Sequence, residues 1–169
     1  TLNSDPPDHD KTRTITLNPL TPKALTTIKE RISIEAEQLV ERMVKKENFD
    51  GAAELAPYLP LTIVRDLVGL GDHGKENMLQ WGAATFELMG DPLERREAAI
   101  TNMKKLRTFL EDMATLENLA TDGWAQRATQ RGILEGLDKA AAAELMRDYI
   151  APSLDTTISA IGYAIWLFS

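Results

Sequence analysis

The stretch IAPSLDTT, residues 150–157, places a proline, an acid and two hydroxyls inside a pattern that is helical on both sides. Pro152 has no N–H, and its ring clashes with the carbonyl oxygen four residues earlier. We therefore expect a kinked helix with a small gap beside Ser153, Asp155 and Thr156. An acid and hydroxyls beside such a gap can bind water or relay protons. Alternatively, the kink only bends a core helix, and Thr156 bonds back to a carbonyl oxygen.

Composition restricts what the rest of the chain can do. The 169 residues are 43% hydrophobic, which suits one domain with a real core. The absence of cysteine excludes disulfides and thiolate ligands from this chain, and two histidines disfavour a histidine-rich metal centre. A net charge of −7 disfavours nucleic-acid binding. The longest apolar run, residues 158–168, is too short for a membrane span, and no signal pattern precedes the domain. These features favour a cytoplasmic protein without a membrane partner.

Apolar periodicity predicts an all-α domain. Asp72 is expected to cap the fourth helix and Asp138 the last one. Residues 48–56 break the helical pattern and are expected to hold at most one short strand. The expected helices span residues 5–17, 22–46, 59–70, 74–89, 92–120, 124–137 and 139–169.

Both ends of the sequence predict a truncated domain. The chain starts at Thr1 without methionine, and it stops within the apolar run IWLFS, residues 165–169, without a helix cap. Residues 1–169 are therefore expected to be part of a larger domain.

A second chemical motif is DPPDHDKTR, residues 5–13. His9 and Arg13 are four residues apart and share one helix face, where they could hold a carboxylate or a phosphate. A solvated first turn whose acids favour the helix dipole explains the same pattern. A hard metal site is a further alternative, built from Asp5, Asp8, His9 and Asp10.

In this order and at this separation, DPPDHDKTR and IAPSLDTT resemble the C helix and the oxygen-binding I helix of the cytochrome P450 family of haem-thiolate monooxygenases. Three further segments look like the family's D, E and F helices: LTPKALTTIKERI, LPLTIVRDLVGL and GKENMLQWGAATFELMG. The resemblance covers essentially the whole chain, and it implies the central part of that fold, from the C helix to the I helix. It is closest to soluble bacterial members that work with a ferredoxin, and within them to those that oxidise para-substituted benzoic acids.

The resemblance implies roles for five residues of the two motifs. His9 and Arg13 match the pair that contacts the haem propionates. Asp155 and Thr156 match the acid–alcohol pair that delivers protons during oxygen activation. Ser153 stands next to the oxygen pocket, where the family usually has glycine.

The resemblance also implies a substrate pocket that includes Arg147, Asp148 and Ala151. Arg147 would favour an anionic substrate, whereas Asp148 would oppose it, and the sequence leaves this conflict open. The reaction implied is the insertion of one oxygen atom from dioxygen into a small organic substrate. The narrower resemblance implies an aromatic acid as that substrate. Electrons would come from NAD(P)H through a reductase and a ferredoxin.

Two features of the family are missing from this chain: the K helix with its Glu-x-x-Arg motif, and the loop whose cysteine binds haem iron. Haem is thus expected in the complete protein, and the chain alone is expected to be inactive. As an alternative, the chain is a non-catalytic helical fragment or a self-associating module. The apolar face of its last helix would then form a homodimer, with or without helix exchange: Ile158, Ile161, Ile165 and Phe168. An unrelated all-α regulator is a third interpretation.

Overall fold

The computed structural model describes residues 4–90, 94–113 and 115–169, apart from the side chain of residue 116. Seven α-helices account for most of these residues, and the described parts of the chain contain no strand. The predicted all-α class is therefore confirmed. None of these helices is long and apolar enough to cross a membrane. The helices are α1 (Asp8–Leu17), α2 (Pro22–Val44), α3 (Tyr58–Val68), α4 (Met78–Glu87), α5 (Arg96–Met113), α6 (Trp124–Leu134) and α7 (Lys139–Phe168).

Helix α7 is the centre of the fold. It packs against α3, α4, α5 and α6, and it also contacts α1. This is possible because α7, as far as Leu154, presents apolar residues to several neighbours at once. Met146, Ile150 and Leu154 are fully buried. Truncating one of these side chains to alanine is expected to cost about 2–5 kcal/mol.

The second half of α7 is much more open. Phe168 is 90% exposed, while the other three residues of the predicted apolar face are half-buried. The cover comes from the segment before α3, where a Cβ on Gly51 would lie only 3.0 Å from Cγ2 of Ile165.

That covering segment lies within residues 48–56, which were expected to hold at most one short strand. It forms a π-helical turn, Gly51–Leu55, instead. Asp50 starts the turn, because its Oδ1 accepts the N–H groups of Ala52 at 2.9 Å and Ala53 at 3.0 Å. An acid followed by small residues thus nucleates a helical turn where the broken periodicity had suggested a strand.

The two predicted aspartate caps have opposite outcomes. Asp138 caps α7, since its Oδ1 accepts the N–H of Ala141 at 2.8 Å. Asp72 caps nothing, and the prediction for it is wrong. Its carboxylate instead accepts from Nη1 of Arg65 at 3.0 Å.

Helix boundaries differ most around α4 and α5. A short 3-10 turn, Lys75–Asn77, precedes α4, and Gly74 leads into it with φ +68°. Helix α5 ends at Met113 rather than near residue 120, and a second 3-10 turn, Leu116–Asn118, follows. The expected start of that helix at residue 92, like residues 1–3, lies outside the described part of the chain.

Candidate functional site

A groove of about 300 Å³ lies between α1 and α7, and we name it the α1–α7 groove. It brings two predicted residues together on opposite walls, Arg13 on α1 and Ser153 on α7. Residues far apart in sequence meet here because α1 buries Ile15 and Thr16 against the core. The groove is lined by Arg13, Thr16, Leu20, Asp148, Tyr149, Pro152 and Ser153.

Arg13 supplies the positive charge of this groove. Its side chain is exposed, and within the described residues its guanidinium has no hydrogen-bond or ion-pair partner. Such a guanidinium can bind a carboxylate or a phosphate through two parallel hydrogen bonds. His9, the other member of the predicted pair, does not line the groove. Its Nδ1 lies 3.2 Å from Oδ1 of Asp10 on the outer side of the turn.

A second cavity lies on another face of α7, and we name it the α4–α7 pocket. Its volume is about 240 Å³, and its walls are mostly apolar. The three residues predicted to form the substrate pocket all line it: Arg147, Asp148 and Ala151. Its other lining residues are Thr85, Phe86, Leu88, Met89, Met103 and Pro152.

Arg147 and Asp148 were predicted to have opposite effects on an anionic substrate, and both lie at the α4–α7 pocket. Nη1 of Arg147 lies 2.8 Å from Oε2 of Glu144, one turn earlier on the same helix. A half-exposed pair of this kind contributes at most about 1 kcal/mol, so the guanidinium can still donate to a ligand. Asp148 borders both cavities, and its carboxylate disfavours an anion in either one.

Asp155 and Thr156, the predicted proton-relay pair, line neither of these two cavities. Helix α7 continues through Pro152, and the hydroxyl of Thr156 donates to the Pro152 carbonyl oxygen at 2.6 Å. This is the back-bonding that the structural alternative expects. Asp155 is half-buried, with no partner among the described residues, and its backbone passes Gly82 of α4. The relay role of the pair stays a prediction.

The metal-site alternative has no support in the geometry. Within the described residues, no three His, Cys, Asp or Glu side chains are placed to hold a metal ion. The acids of residues 5–10 belong to this described region and form no such group.

Sequence reasoning missed the part played by Tyr149. Its hydroxyl donates to the carbonyl oxygen of Thr16 at 2.9 Å, and its ring packs on Trp124 with the centroids 5.5 Å apart. Burial raises the pKa of the Tyr149 phenol, the charge of Asp148 raises it further, and Arg127 opposes the shift. The available signal is a tyrosine that is followed by Ile150 and Ala151 and lies one turn after Leu145, because a phenol buried among such residues needs a hydrogen-bond partner.

Comparison with known proteins agrees with this arrangement, although no protein-family model matches the chain. Cytochrome P450 CYP199A2 of Rhodopseudomonas palustris is 26% identical over 166 residues, which is 98% of this chain and 40% of that protein. Linalool 8-monooxygenase of Pseudomonas putida is 32% identical over 109 residues, 64% of this chain and 26% of that protein. The solved structure of cytochrome P450 TxtC matches 94% of this chain and 41% of its own, with a TM-score of 0.82 and 16% identity.

The similarity in sequence and the similarity in fold point the same way. The chain spans about 40% of the length of the Rhodopseudomonas palustris relative, and the alignment leaves almost none of the chain unmatched. The TxtC match shows that the same helices pack in the same fold. From the two together we conclude that the chain belongs to the cytochrome P450 family.

Proposed function

We propose that this chain is part of a haem-dependent monooxygenase that inserts one oxygen atom from dioxygen into a small organic substrate. The observation that carries the proposal is the placement of two cavities on one helix. The α1–α7 groove carries Arg13 and Ser153, and the α4–α7 pocket carries Arg147 and Ala151. The Pseudomonas putida relative is itself named a monooxygenase.

The donor set of the α1–α7 groove fits haem. A haem presents carboxylates at one edge and an apolar face elsewhere. The unpaired guanidinium of Arg13 suits the carboxylate edge, and the side chains of Leu20 and Pro152 suit the apolar face. When bound, haem supplies the activation of dioxygen. The thiolate that binds its iron would come from outside this chain, which contains no cysteine.

The residues of α7 would handle protons. Asp155 is half-buried and can take up a proton and release it again, while the Thr156 hydroxyl can accept from one neighbour as it donates to another. The hydrogen bond from Thr156 to the Pro152 carbonyl oxygen fixes the direction of the hydroxyl. A stronger acceptor in the site would replace that carbonyl as its partner. Ser153 adds a second hydroxyl at the groove.

For the substrate we propose a small aromatic acid. Phe86 and Met103 give the α4–α7 pocket apolar walls that suit a ring. Arg147 lies in the same pocket and can donate to a carboxylate. The negative charge of Asp148 repels that carboxylate and weakens its binding. Dissociation constants of the complete protein for a benzoic acid and for its neutral amide test the proposed contact between Arg147 and the carboxylate. Tighter binding of the amide would contradict the proposed carboxylate contact.

We further propose that electrons arrive from NAD(P)H through a reductase and a ferredoxin, and that the protein acts in the cytoplasm. These proposals follow the family resemblance of the two motifs. Reconstitution of turnover with purified ferredoxin and reductase tests the electron route.

The decisive experiment uses the complete protein that contains this chain. Absorption spectra are expected to show haem with a thiolate ligand, and Asp155→Asn is expected to slow turnover strongly while haem content stays unchanged. Glu37→Gln, which alters an exposed carboxylate on α2, is the matched control and should leave turnover unchanged. A complete protein without haem would refute the function. Equal turnover of both variants would refute only the role of Asp155.

For the chain by itself, we propose self-association through the end of α7. Tyr163, Trp166 and Phe168 are 60%, 69% and 90% exposed, and they form an apolar surface at one end of the molecule. Sedimentation at micromolar concentration is expected to show a dimer or larger species, and Trp166→Glu is expected to weaken it. A strictly monomeric wild-type chain contradicts this proposal.

A further inference from the structure

We propose that Tyr149 is a positioning residue that sets the separation of α1 and α7, and with it the distance between Arg13 and Ser153 across the α1–α7 groove. The consequence for haem rests on the proposed function. The effect on α1 itself does not depend on haem.

The acceptor of the hydrogen bond from Tyr149 lies at the end of a helix. Helix α1 ends at Leu17, so the carbonyl oxygen of Thr16 is one of the last four in the helix and has no regular partner there. Tyr149 supplies the missing donor at 2.9 Å. Thr16 is 4% exposed and Tyr149 is 2% exposed, so water cannot readily replace this bond. Losing it leaves a buried acceptor unsatisfied.

The hydrogen bond lies close to the two residues that face each other across the groove. Ser153 follows Tyr149 by one turn of α7, and Arg13 precedes Thr16 by about one turn of α1. The hydrogen bond therefore lies about one helical pitch, ~5.4 Å, from the facing pair. Thr16 also donates to the carbonyl oxygen of Arg13 at 3.3 Å. The turn that carries Arg13 is consequently tied to the same point.

The ring of Tyr149 also contacts a third helix. Trp124 of α6 packs on the Tyr149 ring at an interplanar angle of 54°, so a third helix fixes the direction of the phenol. The contact with α6 and the bond to α1 are separable. Tyr149→Phe keeps the ring against Trp124 and removes only the hydroxyl, which makes it the informative substitution.

The experiment compares Tyr149→Phe with Tyr163→Phe in the complete protein. Tyr163 lies on the same helix but is exposed, so its variant is the matched control. Hydrogen exchange is followed helix by helix, and haem loss is followed by transfer to excess apomyoglobin. Tyr149→Phe is expected to speed exchange of the α1 amides by about 5- to 150-fold, the equivalent of about 1–3 kcal/mol for an unsatisfied buried acceptor, and to speed haem loss. Tyr163→Phe is expected to change neither.

A merely structural role predicts a different pattern. Exchange would then rise in every helix in proportion to the lost global stability, and this outcome, like unchanged α1 exchange, overturns the proposal. Should Tyr149→Phe fail to fold, Trp124→Phe replaces it. That variant loosens the ring support and is expected to speed α1 exchange to a smaller degree, and no change would overturn the proposal. If the wild-type complete protein binds no haem, the proposed function fails, while the α1 exchange data still decide the role of Tyr149.

Discussion

The hydroxyl of Tyr149 and the carbonyl oxygen of Thr16 form a buried hydrogen bond of 2.9 Å between residues 133 positions apart. This bond joins α7, the central helix, to α1, the helix that carries the first sequence motif. Burial of the phenol also raises the pKa of Tyr149, with the charge of Asp148 as the second cause. Stability at alkaline pH should therefore report on this bond.

We expect the unfolding free energy to fall above about pH 10, where the unfolded phenol ionises while the folded one keeps its proton. The raised pKa stabilises the fold fully below that pH, and the contribution is lost as pH rises towards the folded pKa. For one proton the slope is about 1.4 kcal/mol per pH unit. Urea unfolding of the wild type and Tyr149→Phe between pH 8 and about pH 11 measures it. The difference between them should shrink with pH, whereas a constant difference contradicts the assignment.

Gly74 and Gly71 form a matched pair for backbone strain. Both have positive φ, +68° and +58°, but a Cβ on Gly74 would lie 2.8 Å from Cζ3 of Trp81, while a Cβ on Gly71 would meet nothing within 4 Å. Gly71→Ala is expected to cost about 1–2 kcal/mol from the left-handed conformation alone. Gly74→Ala is expected to cost clearly more, because the buried Trp81 ring must also move. Thermal unfolding of both variants tests this, and equal losses would contradict the close approach.

Removing the helix cap by Asp138→Ala is expected to cost about 1 kcal/mol, since the N–H of Ala141 loses its acceptor. Asp72→Ala removes an aspartate of the same type that caps no helix and pairs only with Arg65 at the surface. Its cost is expected to be at most about 0.5 kcal/mol. Denaturant midpoints of the two variants give the comparison, and a larger loss for Asp72→Ala would be inconsistent with the observed bonding.

Gly162→Ala is expected to stabilise the fold. The residue lies inside α7, and a new Cβ would meet only the Cβ of Ala56, at 4.0 Å. Replacing a helical glycine under these conditions gains about 0.5–1 kcal/mol. Ala160→Gly, at an exposed position on the same helix, should lose a similar amount. Melting temperatures that shift in the same direction for both variants would contradict the prediction.

Helix boundaries were predictable where local chemistry decides them. Asp138 caps α7, as expected from the residue type alone. Gly69 ends α3 with φ +88°, a left-handed conformation that glycine adopts readily at helix ends. Asp72 carries the same local signal, yet it pairs with Arg65, which precedes it by seven residues. The helical turn after Asp50 was not predicted, because a single turn is too short to produce a periodic pattern of apolar residues.

The site was predictable only in its residues, not in its geometry. The sequence nominates Arg13 and Ser153 separately, but only the packing of α1 on α7 shows that they share a groove. By contrast, the pair of Glu144 and Arg147 is local, at a spacing of three residues, and could have been anticipated on a helix. The bond from Tyr149 to Thr16 could not, because no local pattern links the two ends of the chain.

Asp148 and Pro152 line the α1–α7 groove and the α4–α7 pocket alike, so the two cavities share part of one wall. A ligand that shifts α7 at these residues reshapes both compartments at once. Linkage then makes the influence reciprocal, with each occupant altering the affinity for the other by the same factor. Substitutions on the two sides of this helix should for that reason be non-additive, and a double-mutant cycle across Pro152 would measure the coupling free energy directly.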